Sequence, residues 1–261
     1  MKQKLIFFDI DGTIIDHYKK EIPQSTITAL KELKNNNHIV AIATGKGPNF
    51  IINLFDDIEI DTFIGLNGNY VVYDNEVLYR NYLAGENVKK FTQYCLTNQI
   101  AFALAAEEGT KTLYKDDCRI KQYYENFSIG YPKVIDEIDN YNSFLQMTVM
   151  LKECQIENVE NIRKEFPEFT FVRMSPYGMN VVGHGGLKEK GIQKILNHTT
   201  YTSNDLIVFG DGLNDIGMFK LAPISVAMGN AEQHLKDNAT HVTDHISNDG
   251  IYKACKELNL I

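Results

Sequence analysis

Cysteine is scarce and scattered in this 261-residue chain. Cys95, Cys118, Cys154 and Cys255 form no C-x-x-C pair. That argues against a zinc site or redox motif, and it fits a reduced, cytoplasmic setting better than a disulfide framework. Long apolar runs are also missing. The stretch behind the basic Met1–Lys4 segment ends at Asp9, too short for a signal-peptide core, and no later run approaches transmembrane length. Positive charge is in deficit, with a formal net charge of -8. This argues against nucleic acid or an anionic membrane as the main partner, while leaving room for a local basic pocket. No internal repeat or low-complexity linker interrupts the sequence.

What remains is an ordinary globular composition, 44% hydrophobic and 23% charged, with enough apolar residues for a full core. The length admits either one large domain or a core with a smaller companion.

Leu5-Ile6-Phe7-Phe8-Asp9-Ile10 is apolar until it meets acidic residues and Gly12, as expected for a strand buried on both faces of a parallel sheet. A helix is predicted from about Pro23 to Asn36, a second buried strand at His38–Gly45, a helix near Asn49–Phe55 and a strand near Asp61–Leu66. This alternation indicates a doubly wound α/β domain. After Asn67-Gly68 the rhythm changes. Residues 70–79 read as a hairpin, and residues 82–182 mix helices with polar-alternating strands such as Phe144–Met150 and Thr170–Met174. The doubly wound rhythm returns with a helix at about Leu187–Asn197, the apolar strand Leu206–Phe209, a helix near Leu213–Leu221, a strand at Ile224–Met228 and a last helix at about Asn248–Leu258. The expected architecture is an α/β core, residues 1–81 and 183–261, with an inserted α+β unit of residues 82–182 whose sheet is partly solvated.

Ligands of an open α/β sheet bind at the carboxyl ends of its strands. Asp9 and Asp11 would lie there, two residues apart and pointing the same way. Such a pair repels itself unless a hard divalent cation sits between. Asp211 would complete an oxygen-only site suited to Mg²⁺. Gly12 permits a tight turn, Thr44 with nearby amides can hold a phosphate oxygen, and Lys190 supplies a positive charge against the same dianion.

This constellation resembles the haloacid dehalogenase superfamily of phosphotransferases. Asp9-x-Asp11-Gly12-Thr13 is similar to its first motif, Thr44 to the second, Lys190 to the third and Gly210-Asp211-x-x-Asn214-Asp215 to the fourth. The position of the insertion, and Asn67-Gly68 near its start, resemble the Cof-type subgroup with an α+β cap. The resemblance implies a phosphatase in which Asp9 attacks phosphorus to form an aspartyl phosphate and Asp11 acts as acid and base. Mg²⁺ would be held by Asp9, the Asp11 backbone carbonyl and Asp211. Thr44, Gly45, Lys190 and Asn214 would grip the phosphoryl group, with Asp215 in support. The substrate would be a small phosphorylated metabolite such as a sugar phosphate, nucleotide or cofactor phosphate.

Two positions depart from simple expectation. Lys46 stands where the family often has Arg, and an ammonium lacks the paired donors of a bidentate substrate clamp. Lys188 is an alternative to Lys190, which is preferred because it directly precedes Gly191 and a helical run. Taken alone, Thr44-Gly45 is a common strand end and Gly210–Asp215 reads as a helix cap. His17, His184 and His241 show no metal spacing. Tyr114, Tyr123, Tyr124, Phe127 and Tyr131 read first as packing, with one or two left to face a substrate. A phosphomutase on the same scaffold is the nearest alternative. A phospho-aspartate signalling domain is a more distant one, disfavoured by the length and the order of the acidic residues.

Overall fold

Strand alternation builds the first sheet from both faces of its short apolar runs. The computed structural model describes residues 2–16, 18–152 and 155–261. Strand β1 (Leu5–Phe8) turns Leu5 and Phe7 to one side and Ile6 and Phe8 to the other, all fully buried. It lies parallel between β2 (Ile39–Ala43) and β12 (Leu206–Gly210). Beyond β2 come β3 (Phe63–Gly65), also parallel, and the antiparallel hairpin of β4 (Tyr70–Tyr73) and β5 (Glu76–Arg80). Beyond β12 come β13 (Ile224–Ala227) and the two-residue β14 (His241–Val242). The sheet order is β14-β13-β12-β1-β2-β3-β4-β5.

Two short helices, α2 (Pro48–Ile52) and α8 (Gln233–Lys236), follow β2 and β13, and helices cover both faces of the sheet. On one, α1 (Gln24–Asn35) and α9 (Gly250–Glu257) bring Leu30, Leu33, Ile251 and Ala254 against Ile6 and Phe8. On the other, α6 (Lys188–His198) and α7 (Ile216–Leu221) bring Ile192, Ile195, Met218 and Phe219 against Leu5 and Phe7. Each large apolar side chain sealed in this way contributes about 1.5–3 kcal/mol. The fold is therefore the expected doubly wound α/β sheet. Its winding reverses at β1, with β2 on one side and β12 on the other, so their carboxyl ends flank a crevice.

Residues after Arg80 build a second sheet, ordered β10-β11-β9-β6-β7-β8. Its strands are β6 (Phe102–Ala106), β7 (Gly109–Thr112), β8 (Lys133–Val134), β9 (Gln146–Val149), β10 (Phe169–Ser175) and β11 (Gly178–Gly183). Phe102, Leu104, Met147 and Val149 face α3 (Gly85–Thr97) and α5 (Ile156–Glu165). On the opposite face, Ala101 and Ala103 pack on α4 (Cys118–Asn126). The sheet is partly solvated, as expected: β8 is exposed and β7 largely half-buried, whereas the central β6 and β9 are buried throughout.

The chain leaves for and returns from the second sheet at one place. Asn81 Nδ2 donates to Asn69 Oδ1 at 2.9 Å and to the His184 carbonyl at 3.5 Å. Beside them Gly68 has φ +98°, and a Cβ there would lie 2.2 Å from the Leu187 carbonyl oxygen. Only glycine allows the loop after β3 to seat the start of α6 so closely.

Candidate active site

The crevice at the reversal point collects the acidic residues. The Asp9 amide donates to the Phe209 carbonyl at 3.0 Å, which extends the β1–β12 pairing by one residue and fixes the Asp9 carboxylate at the strand end. Asp211 follows β12 directly. Between them the chain turns at Gly12, whose φ is +84° and where a Cβ would lie 2.1 Å from Asp211 Oδ2. Glycine is required there by both the conformation and the space. Thr13 Oγ1 donates to Asp211 Oδ1 at 3.1 Å.

Lys188, the first residue of α6, enters this cluster from above. Its Nζ donates to Asp9 Oδ1 and to Asp215 Oδ1, both at 2.6 Å. The second oxygen of Asp215 accepts from the amides of Asp211 and Gly212, each at 3.0 Å. Asp215 thus locks the loop carrying Asp211 while also gripping the lysine. The preference for Lys190 is corrected by this geometry. Lys190 is exposed, and Lys188 is the lysine that meets the carboxylates. Two residues along a helix differ by about 200° in direction, so the two side chains point to opposite faces.

One oxygen from each of Asp9, Asp211 and Asp215 lies within 4.8 Å of the others. Burial pushes the Asp211 carboxyl well above its ordinary range, and the charges of Asp9 and Asp215 add to that rise. Burial likewise pushes Asp215 up to about 6, against the pull of Lys188. Burial opposes the charge on Lys188 too, but Asp215 and Asp9 outweigh it and hold the ammonium protonated. One lysine faces three clustered carboxylates. An oxygen-only set with surplus negative charge fits a hard divalent cation. Asp11 stands outside this trio. Its carboxylate pairs with Lys46 Nζ at 3.0 Å.

Thr44 and Gly45 follow β2 on the same rim. Thr44 is buried, its amide donates to the Ile64 carbonyl at 2.8 Å, and its hydroxyl accepts from the Lys46 amide at 3.2 Å. Asn214 is half-buried and folds over Gly212, where a Cβ would lie 2.7 Å from Asn214 Oδ1. Lys46 also donates to the Phe127 carbonyl at 3.0 Å and lies over the Phe50 ring, 4.3 Å from its centroid. It joins the two sheets. A second link runs from Asn67 Nδ2 to Gln146 Oε1 at 2.8 Å and from Gln146 Nε2 to the Gly45 carbonyl at 3.3 Å.

Sequence reasoning placed Thr13 and Lys46 within the motifs but assigned neither its contact here, and Gln146 was missed as part of this region. Farther from the crevice, Asp117 caps α4, and Glu107 accepts from Arg80 and Tyr82. His184 and His241 are exposed, whereas His17 and Cys154 lie outside the described residues. Among the described residues, no helix is long and apolar enough to cross a membrane.

Comparison with known proteins places this arrangement. The family model for haloacid dehalogenase-like hydrolases matches residues 6–255. A Bacillus subtilis protein described as a phosphatase, YkrA, is 36% identical over 261 residues, covering 100% of both chains. The solved structure of BT4131, a sugar phosphatase of subclass IIB in the same superfamily, has a TM-score of 0.88 at 31% identity, covering 99% of this chain and 100% of that one. A structure from work on a trigonal-bipyramidal intermediate in a phosphoryl-transfer superfamily has a TM-score of 0.90, also at 31% identity and with 99% and 100% coverage. With the family model spanning nearly the whole sequence and a full-length relative 36% identical, the chain belongs to the haloacid dehalogenase-like hydrolases, among the phosphatases of that family.

Proposed function

We propose that the protein is a Mg²⁺-dependent phosphomonoesterase that hydrolyses a small phosphorylated metabolite through an aspartyl phosphate on Asp9. The observation that carries this reading is the Lys188 ammonium held 2.6 Å from both Asp9 and Asp215 inside a buried carboxylate cluster. A lysine fixed there neutralises the nucleophile's surroundings and stands ready for an incoming phosphate dianion.

Asp9 supplies the oxygen that attacks phosphorus, and Asp11 gives a proton to the departing alcohol. Asp11 then takes a proton from the water that cleaves the acyl phosphate, which returns Asp9 to a free carboxylate and releases inorganic phosphate. Thr44, Gly45, Asn214 and Lys188 bind the phosphoryl oxygens as their charge spreads. Mg²⁺, held by Asp9, Asp211 and the Asp11 carbonyl with Asp215 in support, would add electrostatic stabilisation of that charge. Residues 82–182 act as a cap over the core formed by residues 1–81 and 183–261, excluding bulk water and shaping access. The free thiols of Cys95, Cys118 and Cys255 support a reducing, cytoplasmic location.

The test is phosphate release from 4-nitrophenyl phosphate with Mg²⁺, before and after chelation, by the parent protein and Asp9→Asn. Both chelation and the substitution should abolish turnover while the far-ultraviolet circular dichroism of the variant stays unchanged. Full activity in a folded Asp9→Asn protein would end the covalent reading.

A further inference from the structure

Asp11 and Asp211 stand on two separate loops, and the turn after β13 lies against both. The Met228 amide donates to the Gly210 carbonyl at 3.0 Å, and the Glu232 amide to the Asp211 carbonyl at 3.1 Å. These backbone bonds seat the turn on the loop after β12. It reaches the loop after β1 by a side chain. Asn230 Nδ2 donates to the Gly12 carbonyl at 2.7 Å, across 218 residues of chain. Gly12 is buried and directly follows Asp11.

Asn230 is itself held from behind. Its Oδ1 accepts from the Ile246 amide at 3.0 Å. The backing is tight there. The Gly229 amide donates to the Asp244 carbonyl at 3.0 Å, and a Cβ on Gly229 would lie 2.3 Å from the His245 nitrogen. One planar amide therefore spans two stretches of backbone, donating to one and accepting from the other. A carboxylate only accepts and an apolar side chain does neither, so the position calls for an amide. What it grips is the Gly12–Thr13 peptide. Gly12 lies where a Cβ would strike Asp211, and Thr13 Oγ1 donates to Asp211 Oδ1 at 3.1 Å. Both ends of that peptide thus border the same carboxylate.

We infer that Asn230 is a positioning residue of the reaction, which holds the Gly12–Thr13 peptide and so sets where Asp11 stands relative to Asp9 and Asp211. The inference rests on the phosphatase reading, in which Asp11 gives a proton to the alcohol and later takes one from water. Its backbone has to keep one place through both steps, and a displacement of about 1 Å costs up to about a hundredfold in rate. Asn230 acts through Gly12 and not on the reacting atoms. A separate brace meets the same loop farther on, where Ser247 Oγ donates to Asp16 Oδ2.

Three variants make the test. Asn230→Ala loses both hydrogen bonds. Asn230→Asp keeps the acceptor for Ile246 and loses the donor to Gly12, so it answers for the position even where Asn230→Ala is too unstable to assay. Ser247→Ala removes only the Asp16 brace. Turnover is read with 4-nitrophenyl phosphate and Mg²⁺, where Asp11 is needed for the water step. In both Asn230 variants kcat should fall at least about tenfold, with KM within about threefold of the parent. Ser247→Ala should keep kcat within about twofold. Hydrogen–deuterium exchange of residues 10–15, measured in chelator, needs neither metal nor turnover. It should quicken at least about tenfold in the Asn230 variants and stay near the parent rate in Ser247→Ala. A folded Asn230→Asp protein with kcat within about twofold of the parent, an equal loss of kcat in Ser247→Ala, or exchange no faster than the parent's overturns the proposal and leaves the phosphatase reading standing. If the parent releases no phosphate from any ester, the phosphatase reading fails, and the exchange rates still decide whether Asn230 holds the turn.

Discussion

The Lys188 ammonium meets the Asp9 carboxylate at 2.6 Å across 179 residues of chain. Neither residue is near the other in sequence, and the intervening second sheet lies between them along the chain. The contact forms because β1 ends at the crevice and α6 begins above it. It makes Lys188 the residue whose loss should be felt first.

Lys188→Ala should lower kcat/KM by about a hundredfold or more, because a cation aimed at the transferring group is removed. It should also destabilise the fold by about 3–5 kcal/mol, since Asp9 and Asp215 are left buried without their partner. Lys190→Ala, on the exposed side of the same helix, should stay within about twofold of the parent. Phosphate release and urea unfolding of the two variants check this. Loss of activity in Lys190→Ala with Lys188→Ala unaffected would reverse the assignment.

Gly68→Ala should cost about 2 kcal/mol or more and reduce kcat as well. The added methyl group would meet the Leu187 carbonyl, one residue before Lys188, and displace the start of α6. Gly185→Ala is the control. Its φ is +93°, similarly unfavourable for a side chain, but nothing lies within 4 Å of its Cβ position. Its cost should be about 1 kcal/mol with kcat retained. Equal effects from both variants would show that close approach at Gly68 does not set the position of α6.

Acid should weaken the link between Asp205 and the chain start in a defined window. The Lys2 ammonium and the Thr202 amide hold the Asp205 carboxyl at about 2, below its ordinary 3.8. A depressed carboxyl stabilises the fold above its unfolded value and loses that contribution as pH falls through the folded value. The stability difference between parent and Asp205→Asn should be constant near neutrality and shrink as pH falls from about 4 to about 2. Urea unfolding of both proteins across that range measures it. A difference that grows on acidification would contradict the assignment.

The core sheet and its acidic rim were legible because burial and chemistry point the same way there. Apolar runs such as Leu5–Phe8 and Leu206–Phe209 end at Asp9 and Asp211, and a parallel sheet places those ends together. The lysine was misread because adjacency to Gly191 was given more weight than helix periodicity. The buried positions of α6 are Lys188, Gly191, Ile192 and Ile195. Their spacing is that of one helix face, so the signal was present in the sequence. Lys46 was a different case. Its partners, Asp11 and Phe127, come from distant segments, and no local pattern announces such a bridge. The strands Lys133–Val134 and His241–Val242 are only two residues long and have no period to detect. Nor does any local pattern show which aromatics face the space between the two sheets, because Tyr123, Tyr124 and Phe127 also pack on one another.

Asn81 touches both Asn69 and His184, so the outward and homeward passes of the polypeptide run through a single doorway. Everything between them is joined covalently to the rest by two neighbouring threads alone. If the insertion serves as the proposed cap, it can be traded for another of different shape wherever the replacement still meets Lys46, the partner of Asp11. On the proposed reading, selectivity and bond cleavage would then be encoded on largely separate stretches of the gene product, each open to change while the other is kept.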